Sequence, residues 1–471
     1  MFSRIYQALS KGVTVGGRRF EYLASGNSQF RENGAFFFAP TSNLTCAGIR
    51  RWMGDFSKIT VVAKHVARIG QCFSTTRAIQ CSKITVVPIS DIKIDRFCFT
   101  DGVGKISPIL AAFIANELKI PLLPPSVYQF RLGGCKGILT LSESAHKSEI
   151  HIRESQFKFP AVNEGLEIIR TSQFSAAYLN RQLILVLNDL GVKTGVFITK
   201  QQRLLSELEK AEGDKVVALR ALRKSIDINQ MTLTISGMIL DGFMDSQEPF
   251  LISLIRLWIA WTIKYLKEKA KLLIENGAFV FGCADDLGLL KGHSAKDAGP
   301  DDRYELKEDE LPEIFIQVPD PARDREYAVI EGICLLARNP SLHPGDMRVV
   351  RAVDKPELHN LRDVVVLPTN GSRDLAGMCS GGDLDGDDYL VMWDHELDPT
   401  IKNYQPMDFS SASAPEHPKP ITTEDMIAFF IQYMRQDSLG SIANAHLAHA
   451  DQYGVRHEKC RLFSHALRGP G

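Results

Sequence analysis

No two of the nine cysteines form a C-x-x-C pair. An odd set of thiols without paired spacing argues against zinc knuckles and a disulfide scaffold, and it fits a reducing compartment. An excess of charge of one sign is also missing, since the formal net charge is −1. Any path for an anionic polymer must therefore come from local basic patches rather than from the field of the whole molecule. Residues 1–20 lack the continuous apolar core of a secretory signal. The most apolar stretch, residues 249–266, is interrupted by Arg256 and Lys264 and reads as a buried helix rather than a membrane span. No repeat recurs at a fixed short period. His446 and His449 sit three apart on an expected helix, with His457 beyond; lacking an acidic or thiolate neighbour, they read as surface histidines. The expectation is a soluble, intracellular protein, nuclear or cytoplasmic and not secreted, with no membrane partner.

What the chain does have is carboxylate concentrated in one place. Asp383-Leu384-Asp385-Gly386-Asp387 sets three aspartates in a single short turn. Alternate positions of an extended segment project to one side, and Gly386 permits the tight bend by which the third carboxylate converges on the other two. Like charges this close repel unless a cation lies among them. Ligands that are all oxygen are hard and favour Mg²⁺ or Mn²⁺. The apolar run from Tyr389 to Trp393 reads as a buried strand anchoring the turn. This is the pattern of a metal-held phosphoryl-transfer site. Two plainer readings compete. A calcium loop also alternates aspartates, and Asp394 stands twelfth from Asp383, but glycine is fourth and Asp388 occupies the sixth position, where that loop needs glycine. A solvated acidic turn is commoner in general, yet this one lies between apolar strands, where an unpaired charge is costly.

With 44% apolar and 24% charged residues, the composition is that of a globular protein, long enough for roughly two to four domains' worth of core. Residues 12–38 alternate turns with short apolar runs of β type, and 59–64 and 84–89 are β-branched runs of strand length. A glycine-rich turn at 97–107 leads into a helix over 108–118, broken at 121–125; strands over 128–132 and 136–141 are joined by Gly133-Gly134. Helical spacing then dominates at 179–190, 201–211, 215–224 and 250–274, and the alternating charges of 200–224 read as a solvated face. After a polar loop at 288–307, strands return at 314–318, 328–337, 347–353 and 364–367. A linker at 406–420 precedes a last helical stretch capped by Thr422 or Thr423.

Cations stand among glycines in two segments, Asp101-Gly102-Val103-Gly104-Lys105 and Phe130-Arg131-Leu132-Gly133-Gly134-Cys135-Lys136-Gly137. Glycine lets backbone approach a phosphate, and Lys105 or Lys136 would neutralise its charge. Each segment is a weak signal alone, because a lysine in a hairpin is more often a surface charge. Arg338, in Ala337-Arg338-Asn339-Pro340, reads either as a phosphate clamp or as half of a structural ion pair.

Together with Trp52-Met53-Gly54, residues 67–74, 100–107 and 129–139, Arg338-Asn339-Pro340, His343-Pro344-Gly345-Asp346 and Ser380-Gly381-Gly382 ahead of the aspartates, the chain resembles the eukaryotic RNA-dependent RNA polymerases of RNA silencing. Order and spacing agree from about residue 12 to 465. The resemblance implies an α+β fold with two double-psi β-barrels akin to those of multisubunit cellular RNA polymerases, an inserted helical neck and head, and a helical C-terminal stretch. It implies a β-rich lead-in at 1–50, the first barrel at 51–145, the neck and head at 146–300, the second barrel with the acidic turn at 301–400, and a linker with helices at 401–471. Asp383, Asp385 and Asp387 are implied to hold Mg²⁺, or Mn²⁺ in its place. Lys105 and Lys136 are implied to face them as catalytic and phosphate-binding residues, with Arg338 binding phosphate nearby. The implied enzyme is an RNA-directed RNA polymerase, a nucleotidyltransferase that copies single-stranded RNA into double-stranded RNA from ribonucleoside triphosphates. Its product would feed siRNA production, with silencing-pathway proteins as partners. DNA-templated transcription shares the acidic turn and the barrels but not a single chain carrying both. The family's chains run further at both ends, so a fragment or shortened relative is expected. A catalytically inactive RNA-binding protein or scaffold is the alternative.

Overall fold

The computed structural model describes residues 1–467 except 82–83, 121–122, 163–164, 228, 295–302, 321–325, 398–402 and 410–413. Parts of the loops expected at 121–125, 288–307 and 406–420, and the closing residues 468–471, lie outside the described residues.

Strands Glu313–Pro319 and Val364–Leu367 are buried along their whole length, so they need cover on both faces. Ring closure supplies it. Leu272–Ala284 runs parallel to Val364–Leu367, which is antiparallel to Glu313–Pro319; that strand is parallel to Arg348–Ala352. Antiparallel steps lead on to Gly332–Ala337, to Asp388–Met392 and back to Leu272–Ala284. The result is a closed six-stranded β-barrel with flanking helices. Closure removes the exposed strand edges of an open sheet.

A seven-stranded sheet lies against this barrel, in the order Arg77–Ala78, Glu167–Thr171, Val127–Leu132, Cys135–Leu141, Val103–Ile106, Glu149–Arg153, Thr85–Ile89. Alternation along Val127–Leu132 divides its faces. Tyr128, Phe130 and Leu132 pack with Leu110 and Ile114 of helix Pro108–Glu117, whereas Val127 joins Val103 and Ile138 in the core shared with the barrel. Gln129 and Arg131 project on the same side as Val127, toward the barrel.

Several expectations need correction. Residues 59–64 do not form a strand; helix Val62–Gln71 begins there, because Val62, Val66 and Ile69 fall at helical spacing and pack on Leu9, Tyr22 and Leu23. The helix expected over 250–274 is Pro249–Lys269, closed by Ala270 in the left-handed region (φ 50°), and Leu272 already belongs to the barrel. The helical stretch expected at 146–300 begins and ends in strands: Glu149–Arg153 and Glu167–Thr171 join the seven-stranded sheet, and Ala176–Leu179 pairs with Leu272–Ala284. Helix Pro249–Lys269 is not buried, since only Leu251 and Ile255 are, while Leu257 and Trp261 are 53% and 52% exposed. It is the one helix among the described residues long and apolar enough to cross a membrane by length and composition. Its Leu254, Trp258 and Tyr265 line a cavity of about 770 Å³ with Tyr178 and Lys271. His446 is not at the surface; it is 2% exposed, its Nε2 3.1 Å from the Leu342 carbonyl oxygen. Thr422 caps helix Thr423–Arg435, its hydroxyl accepting from the Asp425 N–H.

Candidate active site

The acidic turn hangs between two barrel strands and is shaped by its own backbone. Ser380, Gly381 and Gly386 take left-handed conformations, with φ of 58°, 63° and 128°. The Ser380 hydroxyl donates to the Pro340 carbonyl at 2.8 Å, which holds a non-glycine residue in that strained region. Leu384 points inward at 2% exposure, and Asp383 and Asp385 on either side of it are half-buried, Asp385 facing Lys136 of the seven-stranded sheet. The Leu384 N–H donates to the Asp101 carbonyl at 3.1 Å, and the Tyr389 hydroxyl donates to the Asp383 carbonyl at 3.0 Å. Within the turn, the Asp383 N–H donates to Asp387 Oδ2 (3.1 Å) and the Asp385 N–H to Asp383 Oδ1 (3.3 Å). The seven-stranded sheet meets the turn at Gly102, φ 85°, where an added Cβ would lie 2.5 Å from Asp385 Cβ. Only glycine permits that approach.

Cations come from both sheets. Lys136, at the start of the Cys135–Leu141 strand, places Nζ 2.5 Å from Asp385 Oδ2. Arg338, just past the Gly332–Ala337 strand, grips Asp387 with Nε at 2.6 Å from Oδ2 and Nη2 at 3.0 Å from Oδ1. Lys105 does neither: its Nζ lies 3.6 Å from Asp286, a carboxylate that also pairs with Arg153. Of the six residues expected from sequence, Asp383, Asp385, Asp387, Lys136 and Arg338 come together, and Lys105 is held apart.

Three cations that the sequence reading did not assign to the site also act on Asp385, namely Lys158, Arg131 and Arg68. Arg131 was legible, because hairpin register sets it directly opposite Lys136. Arg68 comes from helix Val62–Gln71, in the 67–74 segment that helps carry the resemblance without marking a role in the site; Lys158 comes from a loop that no local pattern marks.

This field splits three like carboxylates. Burial, then the charges of Asp385 and Asp387, pushes the Asp383 carboxyl up to about 7. Burial, the largest single influence, would raise Asp385 too, but Lys136, Lys158 and Arg131 together outweigh it and hold that carboxyl below its usual range. Asp101 is raised, chiefly by burial. Lys136 and Arg338 pair with Asp385 and Asp387, and among the described residues no group of three acidic, histidine or cysteine side chains is arranged to hold a metal ion.

The sequence matches the family model described as RNA dependent RNA polymerase over residues 1–468. The chain belongs to the eukaryotic RNA-dependent RNA polymerase family. It is 42% identical over 470 residues to RNA-dependent RNA polymerase 1 of Schizosaccharomyces pombe, a match covering 96% of this chain and 38% of that one. Identity to RNA-dependent RNA polymerase 1 of Arabidopsis thaliana is 36% over 459 residues, covering 96% and 39%. Identity to a probable RNA-dependent RNA polymerase 1 of Oryza sativa is 35% over 478 residues, covering 100% and 62%. The chain thus spans less than two thirds of each of these relatives. In fold it is similar to the RNA-dependent RNA polymerase QDE-1 from Thielavia terrestris, with a TM-score of 0.75 over 99% of this chain and 56% of that one, at 20% identity.

Proposed function

We propose that this chain is the catalytic core of an RNA-directed RNA polymerase that copies single-stranded RNA into double-stranded RNA for small-RNA silencing. The observation that carries the reading is the acidic turn on one sheet, faced by Lys136 of another and gripped by Arg338 of its own. We read the closed barrel as the double-psi barrel of the acidic turn and the seven-stranded sheet as its counterpart. The helices between them are read as neck and head, with the first boundary moved past Thr171, because Glu167–Thr171 pairs with Val127–Leu132.

The residues present fit a hard divalent cation. The donors are carboxylate oxygens alone, and a cation among them would offset both the burial and the like-charge repulsion that lift Asp383 to about 7. When bound, Mg²⁺ or Mn²⁺ supplies activation of the attacking 3′-hydroxyl and neutralisation of the departing pyrophosphate. Asp383, Asp385 and Asp387 are the residues that would hold it. Lys136, with Arg131 and Lys158 beside it, presents positive charge to the incoming triphosphate. Arg338 keeps Asp387 oriented through its two-pronged grip. Lys105 we assign to supporting the sheet through Asp286.

The test is incorporation of labelled ribonucleotides on single-stranded RNA with Mg²⁺, comparing the chain with Asp385→Asn. Asp385→Asn is expected to lose at least about a hundredfold in rate while its circular dichroism stays unchanged. Equal incorporation by both would refute the site. Absence of incorporation by either folded protein would favour a non-catalytic RNA-binding role.

A further inference from the structure

Two side chains of the seven-stranded sheet reach the acidic turn at its backbone rather than at its carboxylates. Strand Glu167–Thr171 pairs antiparallel with Val127–Leu132, but the register slips: Ile168 opposes Phe130, and Arg170 opposes Gln129. Ile169 is the extra residue of a β-bulge. In an unbroken ladder Arg170 would oppose Tyr128, whose ring is fully buried in the sheet's own core, and would share that face. The bulge turns Arg170 over, onto the side of Gln129 and Arg131 that faces the barrel.

Once there, Arg170 bonds the turn and Gln129 through two of its nitrogens. Its Nη2 donates to the Gly386 carbonyl at 2.7 Å and to Asp388 Oδ2 at 2.8 Å. Its Nε donates to Gln129 Oε1 at 3.3 Å, and Gln129 Nε2 donates in turn to the Asp385 carbonyl at 3.3 Å. The guanidinium lies 4.0 Å from the centre of the Phe281 ring, on the barrel strand paired with Asp388. The contact with Gly386 is close enough that a Cβ there would fall 2.0 Å from Gln129 Nε2. Consecutive carbonyls of the turn, at Asp385 and Gly386, are therefore both capped from the other sheet.

We propose that Arg170, with Gln129, is a positioning residue of the polymerase site: it fixes the backbone between Asp385 and Asp387, and so sets where those carboxylates stand, without touching substrate. The proposal rests on the polymerase reading above. A lysine cannot replace Arg170, since its single nitrogen cannot hold the two oxygens that Nη2 bonds and also supply the second donor that Nε gives to Gln129.

The experiment compares the 471-residue chain with Arg170→Ala, Arg170→Lys, Gln129→Met and the surface control Arg256→Ala. Measured are kcat, KM for ribonucleotide and for RNA, the half-saturating Mg²⁺ concentration, hydrogen exchange at the Leu384 amide, and Tm. Arg170→Ala is expected to lower kcat by about ten- to a hundredfold and to raise the Mg²⁺ requirement similarly, as loss of a group supporting metal ligands does. Exchange at Leu384 should quicken and both KM values should stay within about twofold; Tm should fall below the control, because Asp388 loses its partner. Arg170→Lys should remain impaired, and Gln129→Met should shift the same quantities less. Unchanged kcat and Mg²⁺ requirement would overturn the proposal. So would a rise confined to KM for RNA that grows with salt, which would make Arg170 a template contact. If the unaltered chain does not polymerise, the polymerase reading fails separately; Mn²⁺ binding by electron paramagnetic resonance and exchange at Leu384 then decide, and an Arg170→Ala protein equal to the unaltered chain in both overturns the clamp.

Discussion

Asp383, Asp385 and Asp387 are equivalent as letters and become different acids in the fold. A lysine at 2.5 Å holds Asp385 ionised, while burial beside two carboxylates pushes Asp383 up to about 7. The spacing that brings them together is local and legible; the cations that separate them come from distant segments. Burial acts on His293 in the opposite direction. Desolvation first, then Arg348 and Arg373, lowers its pKa from 6.5 to about 4. Above pH 6.5 the imidazole is neutral folded or unfolded. Between 6.5 and 4 only the unfolded chain takes up the proton, so stability falls as pH falls, and below 4 the loss is complete. Unfolding by denaturant at pH 7 and 4.5 should show the unaltered chain losing more stability than His293→Asn, by an amount on the order of 2–3 kcal/mol. Equal losses would show that His293 protonates as freely in the folded state as in the unfolded one.

Elements follow tertiary demand where the local pattern is ambiguous. The β-branched run at 59–64 has the composition of a strand, yet it becomes the start of helix Val62–Gln71, because one helical face buries Val66 and Ile69 against the N-terminal strands. Helix Pro249–Lys269 shows the reverse limit: its apolar composition predicts burial, and most of its apolar surface is open. The difference is measurable. Leu257→Lys or Trp261→Lys should change stability by no more than about 0.5 kcal/mol, whereas Ile255→Ala, at a fully buried position, should cost about 2–5 kcal/mol. Large losses at all three sites would mean that the exposed face is covered in solution.

Across the whole molecule, segments far apart in sequence complete one another. Helix Thr423–Arg435 inserts Met426, Ile427, Phe430 and Ile431 among Leu9, Tyr22, Leu23 and Phe30 of the N-terminal part. Phe430 is 1% exposed, with its ring 5.3 Å from that of Phe30. Phe430→Ala should therefore cost about 3–5 kcal/mol and speed proteolysis within residues 12–38; unchanged cleavage there would show that the N-terminal part stands without the helix. The sequence by itself determined the acidic turn, the Gly133-Gly134 hairpin and most of the barrel strands from Glu313 onward, because turn chemistry and hydrophobic period act over a few residues. The run expected over 328–337, however, divides into Tyr327–Val329, outside the barrel, and Gly332–Ala337 within it. Only the tertiary structure decided that Lys136 and Arg338 grip the aspartates while Lys105 turns to Asp286. It also brought in Lys158 and Arg68, and it turned Arg170 over through a bulge. Those outcomes depend on how one sheet docks on a closed barrel, and a charge finds its partner only after chain segments hundreds of residues apart have met.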